Sequence, residues 1–435
     1  MQTKLKTKQQ EEYKETELGL LPKDWEVVRL GDVFTEVDKK MRKVKILPEK
    51  NYKIILTKLY AKGIQLKEIK SGKKISAKYM YSLRAGDFIF SKINLRKGSF
   101  DFVSSELGGA VVSTEHPILE LDRKRANQNY IKFYFSQPFT WDLFKKEAKG
   151  FSGKERIKVR EFITVKIPLP PLPEQKSIAF VLSTIQAAKE KTEQVIQATK
   201  ELKKSLMKHL FTYGPVSLED VEKVKLKETE IGMVPKEWEV VRLGDVAKIS
   251  SGGSAPQGKH YFNGEYPFIR VQHIDNEDFV IRKFDLITDM AVKDYKLKLY
   301  PKGTIVFPKS GASVYLEKRA ILPTDAYIVS HLCAISSKNK NILQNFLFYV
   351  LRYMKLAKKK ADGYPTLNLS EVKQVKIPLP PLPIQQKIAE ILSTVDEKIQ
   401  AEENKKKALE ELFKSMLHNL MTAKIRVKGM GVENG

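Results

Sequence analysis

ETELGLLPKDWEVVRLGDV, residues 15–33, returns as ETEIGMVPKEWEVVRLGDV at residues 228–246. The stretch WEVVRLGDV is identical in the two copies, Trp25–Val33 and Trp238–Val246. Further along, VKIPLPPLP occupies Val165–Pro173 and recurs unchanged at Val375–Pro383, and Leu182-Ser183-Thr184 recurs as Leu392-Ser393-Thr394. Long identities in the same order define an internal repeat. Each half therefore has the same parts: a lead-in, WEVVRLGDV, a body, VKIPLPPLP and a long helical pattern. The bodies, residues 34–164 and 247–374, share little with each other. A constant frame around two divergent inserts suggests one scaffold presenting two different readers.

The frame has a physical reading. Val27 and Arg29 alternate with Val28 and Leu30 before Gly31-Asp32, the pattern of a strand that ends in a turn. The paired Trp25 and Trp238 open that strand and are expected in the core. The proline run is barred from a helix interior or a central strand. It is expected to follow an extended, polyproline-like path as a stiff spacer, with a helix starting just beyond it. Glu174 and Gln175 stand in the first turn of that helix, where negative charge suits the helix dipole.

From Glu174 to Thr212 there is no Pro or Gly. Ile178, Val181, Ile185, Ala188, Thr192, Val195, Thr199, Leu202 and Leu206 follow alternating steps of three and four, a coiled-coil seam weakened by its Thr positions. The second pattern, Ile384 to about Thr422, runs through Ile388, Leu392, Val395, Ile399, Leu409, Phe413, Met416 and Leu420, interrupted by Glu402 and Lys406. A helix with one narrow apolar stripe needs a partner, and the simplest is the other copy, paired antiparallel within the chain. At about 1.5 Å per residue the first helix would be roughly 58 Å long. That is enough to place two readers about one duplex turn apart, near 34–36 Å. The expected fold is α+β: two pseudo-two-fold-related globular domains separated by two long antiparallel helices forming an intramolecular coiled coil. The boundaries read as an N-terminal lead-in 1–21, domain 22–168, proline spacer and first helix 169–214, linker 215–234, domain 235–378, proline spacer and second helix 379–425, and tail 426–435.

Composition narrows the function. The 435 residues carry 78 Lys and Arg against 52 Asp and Glu, a net charge of +26. Such an excess repels itself unless a polyanion neutralises it, and nucleic acid is the commonest polyanion. The plainer reading is a Lys-rich solvated surface. No single cationic amphipathic helix holds the excess, which argues against a membrane surface. No apolar run approaches the roughly 18 residues needed to span a bilayer, and MQTKLKTKQQEEYKET lacks the apolar stretch of a secretory signal. The one cysteine, Cys333, rules out an intrachain disulfide framework and fits a cytoplasmic protein.

PLPPLPEQKSIAFVLST (168–184) and PLPPLPIQQKIAEILST (378–394), with WEVVRLGDV followed by SGGSAPQ (251–257) and YPFIRVQHI (266–274), resemble the specificity subunit of type I restriction-modification enzymes. The resemblance covers essentially the whole chain. Ile384-Gln385 in place of Glu174-Gln175 is a local departure. The resemblance implies a subunit with no catalysis of its own, holding two target recognition domains against a bipartite double-stranded DNA site. It also implies two modification (methyltransferase) subunits docked on the long helices, joined by restriction (translocase/endonuclease) subunits. S-adenosylmethionine, ATP and Mg would sit on those partners, with no cofactor on this chain.

The residues give no active-site signature. The only Pro-Pro pairs lie in the spacers and precede Leu. Gly253–Lys259 looks like a phosphate loop but ends in His260, without the Ser/Thr that binds magnesium. The six histidines are scattered, and His331 with Cys333 is a lone pair where a structural metal needs about four ligands. Base edges are read mostly by Arg, Lys, Asn, Gln and Ser. The DNA-binding candidates are therefore polar loops at strand ends. In the first body they are Lys92, Asn94, Arg96 and Lys97, then Lys154 and Arg156. In the second they are Ser251, Ser254 and Gln257; Arg270, Gln272 and His273; Lys309, Ser310 and Ser313; and Tyr364 and Thr366. The Lys309 loop follows Thr304–Phe307, the expected counterpart of Asp87–Phe90. The competing reading is a coiled-coil scaffold with two protein-binding heads, which would lack steep salt dependence on DNA.

Overall fold

The computed structural model describes residues 12–147, 156–275, 280–338, 340–356 and 366–427. The chain forms two compact units: residues 1–192 with 405–435, and residues 193–404. Both are α+β, and both build the repeated stretches alike. In each, EVVR is a strand (Glu26–Arg29, Glu239–Arg242) ending in a helical turn. It pairs antiparallel with KIPL, with Val28 opposite Ile167 in one unit and Val241 opposite Ile377 in the other. The proline run is thus half strand rather than all spacer. The ribbon has only two strands, so a proline fits where its missing N–H would face away from the partner. The long helices start earlier than expected, at Leu172 and Leu382. Pro173 and Pro383 fall in the first turn, whose N–H groups have no intrahelical acceptor anyway. Trp25 and Trp238 are buried, as expected.

The lead-ins are hairpins, Tyr13–Thr16 with Gly19–Pro22 and Leu226–Thr229 with Gly232–Pro235. Gly19 (φ +98°) and Gly232 (φ +103°) supply the left-handed residue that each turn needs.

Each body centres on a four-stranded antiparallel sheet. In the first unit the order is Phe100–Phe102, Phe88–Phe90, Ile118–Leu121, Phe34–Glu36, beside a mixed five-stranded sheet. In the second it is Ala247–Ser251, Leu332–Ser337, Ile305–Pro308, Ala320–Ile321, beside a three-stranded sheet. The strands Phe88–Phe90 and Ile305–Pro308 are apolar throughout because both faces are covered. Phe88 and Phe90 enter one core and Ile89 another. Ile305 and Phe307 enter one and Val306 another. The two-residue side-chain period of a strand sends alternate residues to opposite faces.

One buried glutamine braces each helix start against its body. Gln175 Oε1 accepts from Asn127 N (2.7 Å), and its Nε2 donates to the carbonyls of Arg125 (3.0 Å) and Pro170 (2.8 Å). Gln385 repeats all three bonds with Leu343 N (2.9 Å), Asn341 O (2.8 Å) and Pro380 O (2.8 Å). The shared Gln, not the preceding residue, is the constant part, which explains why Ile384 can stand where Glu174 does. Glu174 makes different bonds. It accepts from Trp25 Nε1 (3.0 Å) and pairs with Arg426 (2.6 Å).

The long helices run antiparallel within each unit. In the second unit Lys200 pairs with Glu403 (2.8 Å), and Lys203 pairs with Asp396, so one helix ascends as the other descends. In the first unit Ile178 and Leu182 share a core with Leu420 and Met421. The expected second seam is buried or half-buried throughout. The first seam needs correction. Its buried positions include Ile178, Leu182, Thr192, Ile196, Lys203 and Met207, whereas Leu202 is 59% exposed. The shared positions Ile178, Ile185, Thr192, Thr199 and Leu206 hold, but the alternate flank lies one residue further along. Lys203 can be buried there because Asp396 neutralises it and the Tyr349 ring lies 5.4 Å away.

Candidate nucleic-acid interface

In the first unit the polypeptide leaves the buried strand Phe88–Phe90 and turns through Ser91–Gly98. Leu95, fully buried, anchors the one-turn helix Leu95–Lys97. Gly98 closes it at φ +71°, and a Cβ there would meet the Trp141 ring at 2.6 Å. This loop is therefore fixed by packing and not free to splay. Asn94 and Arg96 are half-buried and Lys97 is exposed.

Two backbone bonds knot the loop to distant segments. Lys92 N donates to Glu115 O (3.0 Å), and Ile157 N donates to Lys92 O (2.9 Å). The knot brings Arg156 beside Glu115, Nη1 to Oε1 at 3.0 Å. Burial, with Lys39 nearby, holds the Lys92 ammonium below its ordinary pKa, while Glu115 and Glu36 oppose the shift. The neighbouring turn adds Tyr60, whose N donates to Lys97 O (2.7 Å), and Ala61, whose N donates to Gly98 O (2.8 Å). Both residues are left-handed, at φ +61° and +53°, and Tyr60 is 61% exposed. Such strain in non-glycine residues persists only where the surroundings enforce it. Lys154 lies outside the described residues.

The second unit ties the same knot. Lys309 N donates to His331 O (2.9 Å), and Leu367 N donates to Lys309 O (2.8 Å). Lys92 and Lys309 are thus equivalent, as are Glu115 and His331, and Arg156 and Thr366. Ser310 bridges to Thr366 in antiparallel fashion, and its Oγ lies 2.6 Å from His331 Nδ1. Gly311 (φ +82°) opens the short helix Ala312–Leu316, which holds half-buried Ser313 and exposed Tyr315. Tyr364 lies outside the described residues.

The segment Tyr327–His331 gathers the remaining candidates. Ser251 Oγ donates to Ser330 O (2.9 Å), Gly253 N to Ile328 O (3.0 Å), and Val329 N to Ile269 O (2.9 Å). A Cβ on Gly252 would strike Ile328 O at 2.1 Å, so only glycine permits this approach. Ser254 is exposed. Gln257 is exposed too, its N–H bound to the Tyr295 hydroxyl (2.8 Å). Gln272 is exposed. Arg270 and His273 are already engaged: Arg270 pairs with Asp285 (2.7 Å), its N donates to His273 Nδ1 (3.0 Å), and His273 Nε2 lies 3.5 Å from Asp285. Burial is the main cause that holds the His273 imidazole below its ordinary pKa. Lys259–Tyr261 is a single short turn followed by the strand Phe262–Ile269, so the phosphate-loop look-alike leads into a strand. Among the described residues no three His, Cys, Asp or Glu are grouped to hold a metal, and no helix is long and apolar enough to cross a membrane.

Nothing in the sequence marks Glu115, His331 and Tyr60 as part of this site. An acidic residue, an isolated His and a Tyr bear no mark of a basic loop. Only strand register shows that Glu115 and His331 precede the equivalent strands Ile118–Leu121 and Leu332–Ser337.

Fold and site together define a class: one α+β frame built twice, each copy closed by halves of two antiparallel helices, each presenting different polar side chains at matching points. The profile described as "Type I restriction modification DNA specificity domain" matches residues 22–202 and 235–411, and the chain belongs to this family. It is similar to the type I restriction enzyme MjaIX specificity subunit of Methanocaldococcus jannaschii, 29% identical over 436 residues, covering 96% of this chain and 97% of the relative. The HindI specificity subunit of Haemophilus influenzae is 20% identical over 419 residues, covering 82% and 90%. The type I S subunit structure from M. genitalium has the same fold, with a TM-score of 0.57 at 16% identity, covering 91% of this chain and 96% of that one.

Proposed function

We propose that this chain is the DNA-recognition subunit of a type I restriction-modification system, reading a bipartite target with one unit per half-site. The observation that supports it most is the double knot. The same two backbone bonds hold Lys92 and Lys309, while the side chains around them differ: Glu115 and Arg156 in one unit, His331, Ser310 and Thr366 in the other. A shared frame with unlike tips is what two different half-sites require. The net charge of +26 suits phosphate neutralisation, which positions a reader without specifying sequence. Lys92, Lys97 and Lys309 serve as phosphate or base contacts beside Asn94, Arg96, Ser251, Ser310 and Ser313. The chain leaves chemistry to its partners: two modification subunits that bind S-adenosylmethionine, and restriction subunits that use ATP and Mg.

The test is co-expression with the modification subunit in a methylation-free host, followed by mapping of methylated bases. A bipartite motif is expected. Methyl transfer by the purified chain alone, or modification without sequence preference, would overturn the reading.

A further inference from the structure

Arg156 and Glu115 meet at the mouth of the Lys92 loop. The two side chains are 51% and 35% exposed, and a single contact, Nη1 to Oε1 at 3.0 Å, joins them. The Glu115 backbone is fixed, because its carbonyl accepts the Lys92 N–H at 3.0 Å, so its carboxylate projects from a set position. The carboxylate thus holds the guanidinium from one side. An Arg offers five N–H donors in a planar fork, so one bond to Glu115 leaves enough for a bidentate contact on the open edge. The acceptor that this geometry matches in duplex DNA is the O6/N7 edge of guanine in the major groove. A carboxylate among basic residues also repels phosphate, which disfavours docking of the same fork on the backbone. The second unit cannot make this contact, since Thr366 and His331 stand where Arg156 and Glu115 do.

Building on the DNA-recognition reading, we propose that Arg156 reads a guanine in the half-site of the first unit, and that Glu115 is the positioning residue that aims it. Holding the fork near its bound geometry before binding lowers the entropy cost of ordering a long side chain at the interface.

The experiment uses the full chain assembled with its modification subunit and a random duplex library, with bound DNA sequenced and affinities measured across a salt series. Arg156→Ala should lose discrimination at one guanine by roughly 5- to 150-fold, the equivalent of about 1–3 kcal/mol. The other half-site and the slope of log affinity against log salt should not change. Glu115→Gln, nearly the same shape, should relax that same position to a smaller degree. In the Arg156→Ala background it should add nothing, because its effect runs through Arg156. An additive effect of Glu115→Gln, or one at a different position, overturns the positioning role. Uniform weakening on all sequences with a salt slope shallower by about 1 makes Arg156 a phosphate contact and overturns the guanine assignment. A wild-type complex that selects no motif overturns the recognition reading itself, a result distinct from a motif that both variants leave intact.

Discussion

Arg96 shows what the loop packing does at the scale of one residue. It stands in a turn pinned by fully buried Leu95 and by the contact of Gly98 with Trp141, so its side chain starts from a fixed backbone. If it reads a guanine, Arg96→Ala should relax one half-site by about 1–3 kcal/mol. Equal weakening on every sequence, measured by competition binding, would make it a phosphate contact. The buried glutamines are a different kind of residue. Gln175→Ala would leave the Asn127 N–H and two carbonyls without their partner. We expect a loss of about 2–4 kcal/mol in the first unit's denaturant transition, from leaving several buried polar groups unsatisfied. A loss under about 0.5 kcal/mol would mean water replaces the amide. Lys92 and Lys309 are legible in the sequence, because a basic loop after an apolar strand marks itself. Glu115 and His331 are not, because their place depends on which strands pair.

At the scale of elements, the helix pair carries the clearest lesson. The second seam is legible since its apolar residues are also its buried ones. The first departs from its apolar pattern on one flank, because Leu202 points to solvent while Lys203 is buried against Asp396. Hydrophobicity alone favours Leu over Lys; the tertiary ion pair reverses the choice. Asp396→Ala should cost about 2–4 kcal/mol by stranding a buried ammonium, whereas Lys203→Met should stay within about 1 kcal/mol of wild type. Urea titrations of the second unit's transition check both, and equal costs for the two variants would contradict the pairing argument. The strand KIPL is hidden by its proline, which argues against a central strand but not against a two-stranded ribbon.

For the whole molecule, the repeat predicts both the duplication and the antiparallel helices. It does not show that each compact unit takes half of each helix. Residues 405–427 belong with the first unit, where Arg426 pairs with Glu174 and Asp24 and Tyr13 donates to Ala423 O (2.9 Å). Truncation after Asn404 should therefore unfold the first unit and spare the second. Cys333 reports on the second: burial pushes its thiol up to about 12, so it should resist alkylation at about pH 8 while that unit stays folded. Rapid labelling of the truncated chain would contradict this division. The central claim is that unlike readers on one frame each govern half of a target. Its most direct test is a genome-wide map of methylated bases in cells that express the modification subunit with either the wild-type chain or a variant altered at Ser310, His331 and Thr366. A bipartite motif is expected in the wild type, and a change confined to one half in the variant. A single undivided motif, or a change spread over both halves, would contradict the claim.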